Sequence, residues 1–336
     1  MSSRARVRIA VGVVAVAVAA IAAAVAWSGR ADEGAVDAVA TGPREGAPPL
    51  ELDALVADGA LATALREAED LYDDGNRAAA AAAFDDILAD HPDSLEAAVG
   101  AAASTWPTGT TDRLAQLAAE HPDSALVQLQ LGLTLLWERR DSEADAAWRE
   151  ALAVEPDSSS AVRAESLLHP DMAPGRPFFV PSASFPDDLE GLSPLDQLDA
   201  LERQAKEEQT AEAWLLYGTA LQRAGRVVSA LEAFDRAAEL APDDPEALTA
   251  AALGRFTKEN PSAAFSRLAP LADRFPSSSV VRFHVGLGLL WLRNVAEARK
   301  QLELAATSEP GTVWAEQARL LLDELDRQGE TGSTNP

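Results

Sequence analysis

Pro242, Pro276 and Pro310 recur at intervals of 34 residues, as do Pro122 and Pro156, and Pro92 stands 30 residues ahead of Pro122. Counting back from each proline gives six units: 61–94, 95–124, 125–158, 211–244, 245–278 and 279–312. Two places after each proline comes a hydroxyl or carboxylate: Ser94, Ser124, Ser158, Asp244, Ser278 and Thr312. Proline ends the outgoing helix, and an oxygen at that offset suits the N-cap of the next one. Six such junctions in register define an internal repeat, each unit being too small to bury its apolar face alone.

Within 211–244 the large residues Trp214, Tyr217, Leu221 and Phe234 fall at helical spacing, and Gly218, Ala230 and Ala237 are small. Large residues on one face and small ones at the crossing let two antiparallel helices nest, with Gly225 at the turn between them. This pattern resembles the tetratricopeptide repeat (TPR), Trp-x2-Leu-Gly-x2-Tyr followed by Ala, Phe, Ala and Pro at fixed offsets. The unit departs from it only by Tyr217 in the Leu place and Leu221 in the Tyr place. Unit 125–158 keeps Leu131, Gly132, Leu135, Ala144, Trp148, Ala151 and Pro156; unit 279–312 keeps Val285, Gly286, Leu289, Ala298, Leu302, Ala305 and Pro310. Fewer positions match in 61–94 (Ala68, Leu71, Ala80, Phe84, Pro92) and 245–278 (Ala252, Ala264, Leu268, Pro276). Unit 95–124 is four residues short, and Pro107 marks a broken first helix.

The phrase "GLTLLWERR" from Gly132 returns 154 residues later as "GLGLLWLRN" from Gly286, and "SSSAVRAESLL" after Pro156 aligns with "TVWAEQARLLL" after Pro310. A duplicated three-unit block explains both, with capping helices near 159–168 and 313–326. The expected fold is therefore an all-α α-solenoid of TPR hairpins in two three-repeat blocks, each with a C-terminal capping helix, plus one N-terminal transmembrane helix. Block 1 spans 56–168 and block 2 spans 195–327, the latter opened by a lead helix over 195–209. A disordered tail is expected over 328–336. The Pro/Phe-rich connector 169–194 cannot be regular helix. Its Phe178, Phe179, Val180 and Phe185 either pack on a neighbouring block or occupy a groove as a displaceable internal ligand.

The anchor rests on the apolar run Ile9 to Trp27, 19 residues preceded by Arg4, Arg6 and Arg8. Such a run spans roughly 28 Å as a helix, the thickness of a bilayer's hydrocarbon core. The arginines predict a cytoplasmic stub and anchor over 1–30, with the body of the protein outside the cytoplasm. Ala24-Val25-Ala26 keeps a cleaved signal peptide open, which would make the protein a secreted spacer or chaperone-like factor. Residues 31–55, rich in Gly, Pro and Ala, read as a flexible tether.

A net charge of -26, from 54 acidic and 28 basic residues, repels phosphate and makes nucleic acid a poor partner. Absence of cysteine removes disulfides, thiolate chemistry and cysteine metal sites. His91, His121 and His169 precede prolines at helix ends, and His284 stands alone in a helix. Carboxylate pairs such as Asp73-Asp74, Asp85-Asp86 and Asp243-Asp244 fall at turns. No phosphate loop, nucleophile elbow or His-Glu-x-x-His occurs. The chain reads as non-enzymatic, with no catalytic or metal site, no cofactor and no small-molecule substrate.

The TPR resemblance implies that positions 2, 5, 9, 12 and 13 of each unit line a concave groove. These are Leu126, Leu129, Leu133, Leu136 and Trp137 in one unit, and Val280, Phe283, Leu287, Leu290 and Trp291 in another. Leu129, Leu133, Leu136, Trp137, Phe256, Phe283, Leu287, Leu290 and Trp291 form the candidate protein-binding groove. Either the capping helix and connector bury this stripe, or it holds an apolar helix or extended segment of a partner. Leu215, Thr219, Thr249, Phe283 and Leu287 stand where TPR carboxylate clamps carry Lys, Asn and Arg, which argues against acidic tails. The expected role is a membrane-tethered scaffold or adaptor for a protein or peptide partner in the cell envelope, assisting assembly of an envelope complex.

Overall fold

The computed structural model describes residues 44–52 and 59–332. Among them are fifteen α-helices, one short 3-10 turn and no strand. The helices pair as hairpins: α1 (Gly59–Asp73) with α2 (Arg77–Asp90), α3 (Leu95–Ala103) with α4 (Thr110–Glu120), and α5 (Ala125–Trp137) with α6 (Asp141–Val154). A single helix α7 (Ser159–Leu168) closes this half. After the connector come α8 (Pro194–Glu208), the hairpins α9 (Ala211–Arg223) with α10 (Val227–Leu240), α11 (Pro245–Leu253) with α12 (Ser262–Arg274) and α13 (Ser279–Trp291) with α14 (Val295–Ser308), then α15 (Val313–Gly332).

First helices touch one another in series, α1–α3–α5–α7 in one half and α9–α11–α13–α15 in the other, while each second helix packs behind its partner. This ordering puts one row of helices on an inner face. Close approach within hairpins depends on the expected glycines. A Cβ on Gly132 would stand 2.3 Å from Trp148 Nε1, and one on Gly286 2.9 Å from Leu302 Cγ. The twice-written apolar phrase thus marks one crossing geometry built twice.

The junction oxygens cap as expected at five of six places. Ser94, Ser124, Ser158, Asp244 and Thr312 accept from the backbone N–H groups of Ala97, Val127, Ala161, Ala247 and Ala315. Ser278 is the correction: its hydroxyl caps nothing, although Glu309 Oε2 takes the Ser279 N–H at 2.7 Å as Glu155 Oε2 takes the Ala125 N–H at 3.1 Å beside the working Ser124 cap. Pro107 does break the second hairpin's first helix, which stops at Ala103.

Two boundaries differ from expectation. Helix α15 continues to Gly332, so the tail expected to be disordered from 328 is helical for its first five residues. No proline interrupts it, and Arg299 holds Asp326 at 2.6 Å, fixing the last turns against α14. The supposed flexible tether is docked over 44–52, with Pro48 and Leu50 buried. Prolines lower the entropy lost on ordering, and the hydrogen bonds described below supply partners for its backbone. The expected anchor Ile9 to Trp27 lies outside the described residues; among those described, no helix is long and apolar enough to cross a membrane.

The halves join through polar groups. Asp157 caps the N-terminus of α10 from the other half, accepting from Val228 N at 2.7 Å and Ser229 N at 3.1 Å. Lys258, 2% exposed, donates from Nζ to Ala173 O at 2.7 Å and Ser166 Oγ at 3.1 Å. Glu165 on α7 receives the Lys258 N–H at 2.8 Å and Arg176 Nε at 2.7 Å. Burial pulls the Lys258 ammonium down to about 8 despite the neighbouring Glu165.

Candidate functional site

Each inner face is occupied by an extended, proline-containing segment of the chain itself. The first strap, 44–52, crosses α1, α3, α5 and α7. Tyr72 on α1 donates its hydroxyl to Pro48 O at 2.7 Å, and Trp106 beyond α3 donates Nε1 to Gly46 O at 2.9 Å. Gln130 on α5 brackets Leu50, giving Nε2 to Pro49 O at 2.9 Å and accepting Glu51 N at 3.2 Å. Arg163 on α7 pairs with Glu51 at 2.7 Å. Arg44 donates its N–H to Trp137 O at 2.7 Å and lies over the Trp137 ring, 5.6 Å from its centroid. Burial pushes the Tyr72 phenol up to about 12, so it remains a donor across the neutral range.

The second strap, 173–186, follows the corresponding route. Trp291 on α13 donates Nε1 to Pro174 O and Gly175 O, both at 3.2 Å. Gln222 on α9 brackets Phe178, accepting Phe179 N at 2.8 Å and giving Nε2 to Pro177 O at 3.3 Å. His284 Nδ1 donates to Val280 O at 2.8 Å, which leaves Nε2 to accept Val180 N at 3.0 Å. Burial pulls the imidazole down to about 4, so it is neutral. Trp314 on α15 donates to Val180 O at 2.8 Å. Glu246 on α11 accepts both Ser182 N and Ser182 Oγ at 2.7 Å, its carboxyl raised by burial. Phe179 stacks on His284 at 4.9 Å and meets Phe234 edge-on at 5.5 Å.

The nine groove residues named from sequence are distributed between these two sites, and none is fully exposed. Leu129 and Leu133 are buried in a cluster with Ala164 of α7, and Leu136 and Leu167 pack against it. Trp137 is half-buried under Arg44. Phe256, Phe283, Leu287, Leu290 and Trp291 share a buried cluster with Ala173, Phe179 and Val180 of the second strap. The capping helix α7 and Arg44 thus cover the stripe in the first half, and the connector covers it in the second.

The polar residues that grip the straps, Tyr72, Trp106, Gln130, Gln222, Glu246 and Trp314, escaped the apolar-stripe argument. Their signal was positional: Tyr72, Trp106 and Gln222 all hold place 12 of their units, alongside Leu136, Phe256 and Leu290. His91, His121 and His169 stand at helix C-caps, and His284 is wholly interior. Among the described residues, no group of His, Asp and Glu could hold a metal ion.

A family model described as tetratricopeptide repeat matches residues 211–254, the hairpin α9–α10 and all of α11. That segment reads as a tetratricopeptide repeat. No curated protein matches the sequence. Solved structures similar to it include YrrB, a TPR protein with an unusual peptide-binding site, at 16% identity and TM-score 0.30, covering 62% of this chain and 98% of YrrB. A human IFIT1 dimer with PPP-AAAA is 17% identical at TM-score 0.34, covering 82% of this chain and 66% of that one. A TPR protein from Parabacteroides merdae is 11% identical at TM-score 0.32, covering 79% and 98% respectively. Likenesses this distant carry no argument about partners.

Proposed function

We propose that this TPR protein is a membrane-tethered scaffold or adaptor of the cell envelope, built from two three-hairpin blocks, that holds extended polypeptide segments in its concave grooves. One observation carries the reading: both inner faces already grip an extended chain by its main-chain carbonyl and amide groups, using Tyr72, Trp106 and Gln130 in one half and Gln222, His284 and Trp291 in the other. Main-chain contacts give affinity without demanding one sequence, and buried apolar positions such as Leu50 and Phe179 add selection. The role needs no catalysis: the buried imidazole is neutral and engaged on both nitrogens.

The tether rests on the sequence, with Ile9 to Trp27 as the span, the arginines keeping the N-terminus cytoplasmic, and the repeats outside to assist assembly of an envelope complex. Photo-cross-linking from groove positions in intact membranes, followed by partner identification, tests the role. A polypeptide cross-linked at the inner faces supports it, and cross-links confined to the outer helices contradict it. A reporter fused after Pro336 that works only in the cytoplasm would overturn the topology. A mature N-terminus just after Ala26 would favour the secreted spacer.

A further inference from the structure

The straps are copies of one another in contact as well as in route. Shifted by 129 residues, Gly46-Ala47-Pro48-Pro49-Leu50-Glu51 superposes in sequence on Gly175-Arg176-Pro177-Phe178-Phe179-Val180. Both glycines have left-handed backbones, φ 79° and φ 70°. Each glycine carbonyl accepts an indole N–H, though from different places: Trp106 at place 12 of the second hairpin's unit and Trp291 at place 13 of the third's. Each proline carbonyl accepts from place 12 of the half's first hairpin, Tyr72 or Gln222. The residue five after each glycine gives its N–H to place 6 of the third hairpin, Gln130 or His284. Leu50 and Phe179 are the buried side chains between those contacts. The shared requirement is Gly-x-Pro-x-(Leu/Phe): glycine for positive φ, proline for extension without a spare donor, then one apolar anchor.

The two seats differ in completeness. The second strap has additional anchors at both ends, at Lys258, Ser166 and Glu165 on one side and at Trp314 and Glu246 on the other. In the first, the buried Trp137 Nε1 and Arg44 Nε have no acceptor. Trp137 stands 154 residues ahead of Trp291, whose Nε1 reaches two strap carbonyls. A buried donor without a partner carries its full desolvation penalty.

We propose that residues 44–52 are a pseudo-ligand, and that the first groove binds a partner's extended Gly-x-Pro-x-(Leu/Phe) segment, preceded by residues whose carbonyls reach Trp137, once 44–52 has left it. This rests on the interaction role above and adds the identity of the ligand class. The second strap supplies the ligand's design, since its Ala173-Pro174 ahead of Gly175 place a carbonyl on the equivalent tryptophan.

The test uses a labelled synthetic peptide of the sequence Ala-Pro-Gly-Arg-Pro-Phe-Phe-Val-Pro with the full chain and its Gly46→Val and Leu50→Asp variants. Gly46 has open space for a side chain but a backbone that a β-branched residue rarely adopts, so Gly46→Val loosens the strap without touching the core. It serves where Leu50→Asp fails to fold. Binding is expected at least tenfold tighter to the loosened chain than to the wild type. It should be reduced tenfold or more by adding Trp106→Phe or Gln130→Ala, or by replacing the peptide's glycine with valine. Because the chain has no cysteine, Ala47→Cys reports strap departure through maleimide labelling, which the peptide should accelerate.

Binding that ignores strap loosening, Trp106→Phe and the glycine replacement, or no binding to a loosened chain that keeps its helicity, overturns the proposal. A dimer in which the thiol of the Ala47→Cys variant cross-links into a second copy's groove also overturns it, by making the occupant another molecule of this chain. Such failures leave the interaction role standing wherever the membrane cross-links reveal a partner at the inner faces; no such cross-link removes the role itself.

Discussion

The two inner faces pose the same problem, how to cover an apolar stripe, and solve it with unequal commitment. In the second, Phe179 is 1% exposed and packs with Phe234, Phe283 and Leu287, so the strap belongs to the largest buried cluster. In the first, Leu50 is the buried anchor beside Leu65, Tyr72 and Leu126, held chiefly through side-chain contacts to main-chain atoms. One strap belongs to the largest buried cluster; the other adds Leu50 to a smaller one. Repeats duplicated in sequence therefore need not be duplicated in stability, because local opening follows the depth of burial rather than the pattern of hydrogen bonds.

The largest expected effect separates the straps directly. Phe179→Ala should cost about 3–5 kcal/mol in urea unfolding, because it empties a ring-sized volume inside the second half. Leu50→Ala should cost about 2 kcal/mol, the low end for a buried leucine, because the remaining strap can lift away. Equal losses would break the comparison.

Next comes the residue that differs at the shared place 6. Folded His284 stays neutral down to about pH 4, whereas the unfolded chain takes up its proton near 6.5. Its contribution is whole above pH 6.5 and is lost as the pH falls toward 4, by about 3 kcal/mol. His284→Gln copies the Gln130 arrangement and should flatten that stretch of the stability–pH curve relative to the wild type. An unchanged curve would show that the histidine does not carry the loss.

The smallest effect compares caps. Ser124→Ala should lower stability by about 1 kcal/mol, since its hydroxyl takes Val127 N. Ser278→Ala, at the matching place 154 residues on, should change it by only a few tenths. Thermal melts of the two variants make that comparison.

The hairpins were legible because their grammar is local. Pro156 and Pro310 stop helices, Ser124 and Ser158 start them, and Gly132 faces Trp148 at a spacing fixed by helical geometry. Ser278 has the same spacing as the five capping residues, and nothing in the structure explains why its hydroxyl caps nothing. The first strap was illegible because its contacts are distant in sequence. "PREGAPPLE" has no periodicity, and its order comes from Tyr72, Trp106, Gln130 and Arg163, spread over three hairpins and a cap. The clue was comparative: Gly46-x-Pro48 precedes one set of hairpins as Gly175-x-Pro177 precedes the other.

Residue-resolved hydrogen exchange of the strap amides tests the central claim most directly. Arg44 N, bound to Trp137 O at 2.7 Å, and Glu51 N, bound to Gln130, report the first groove; Phe179 N and Val180 N report the second. The account predicts protection at all four, with Phe179 and Val180 exchanging only on global unfolding and Arg44 and Glu51 through a cheaper local opening. Exchange of Arg44 and Glu51 at the rate of an unstructured chain would contradict it.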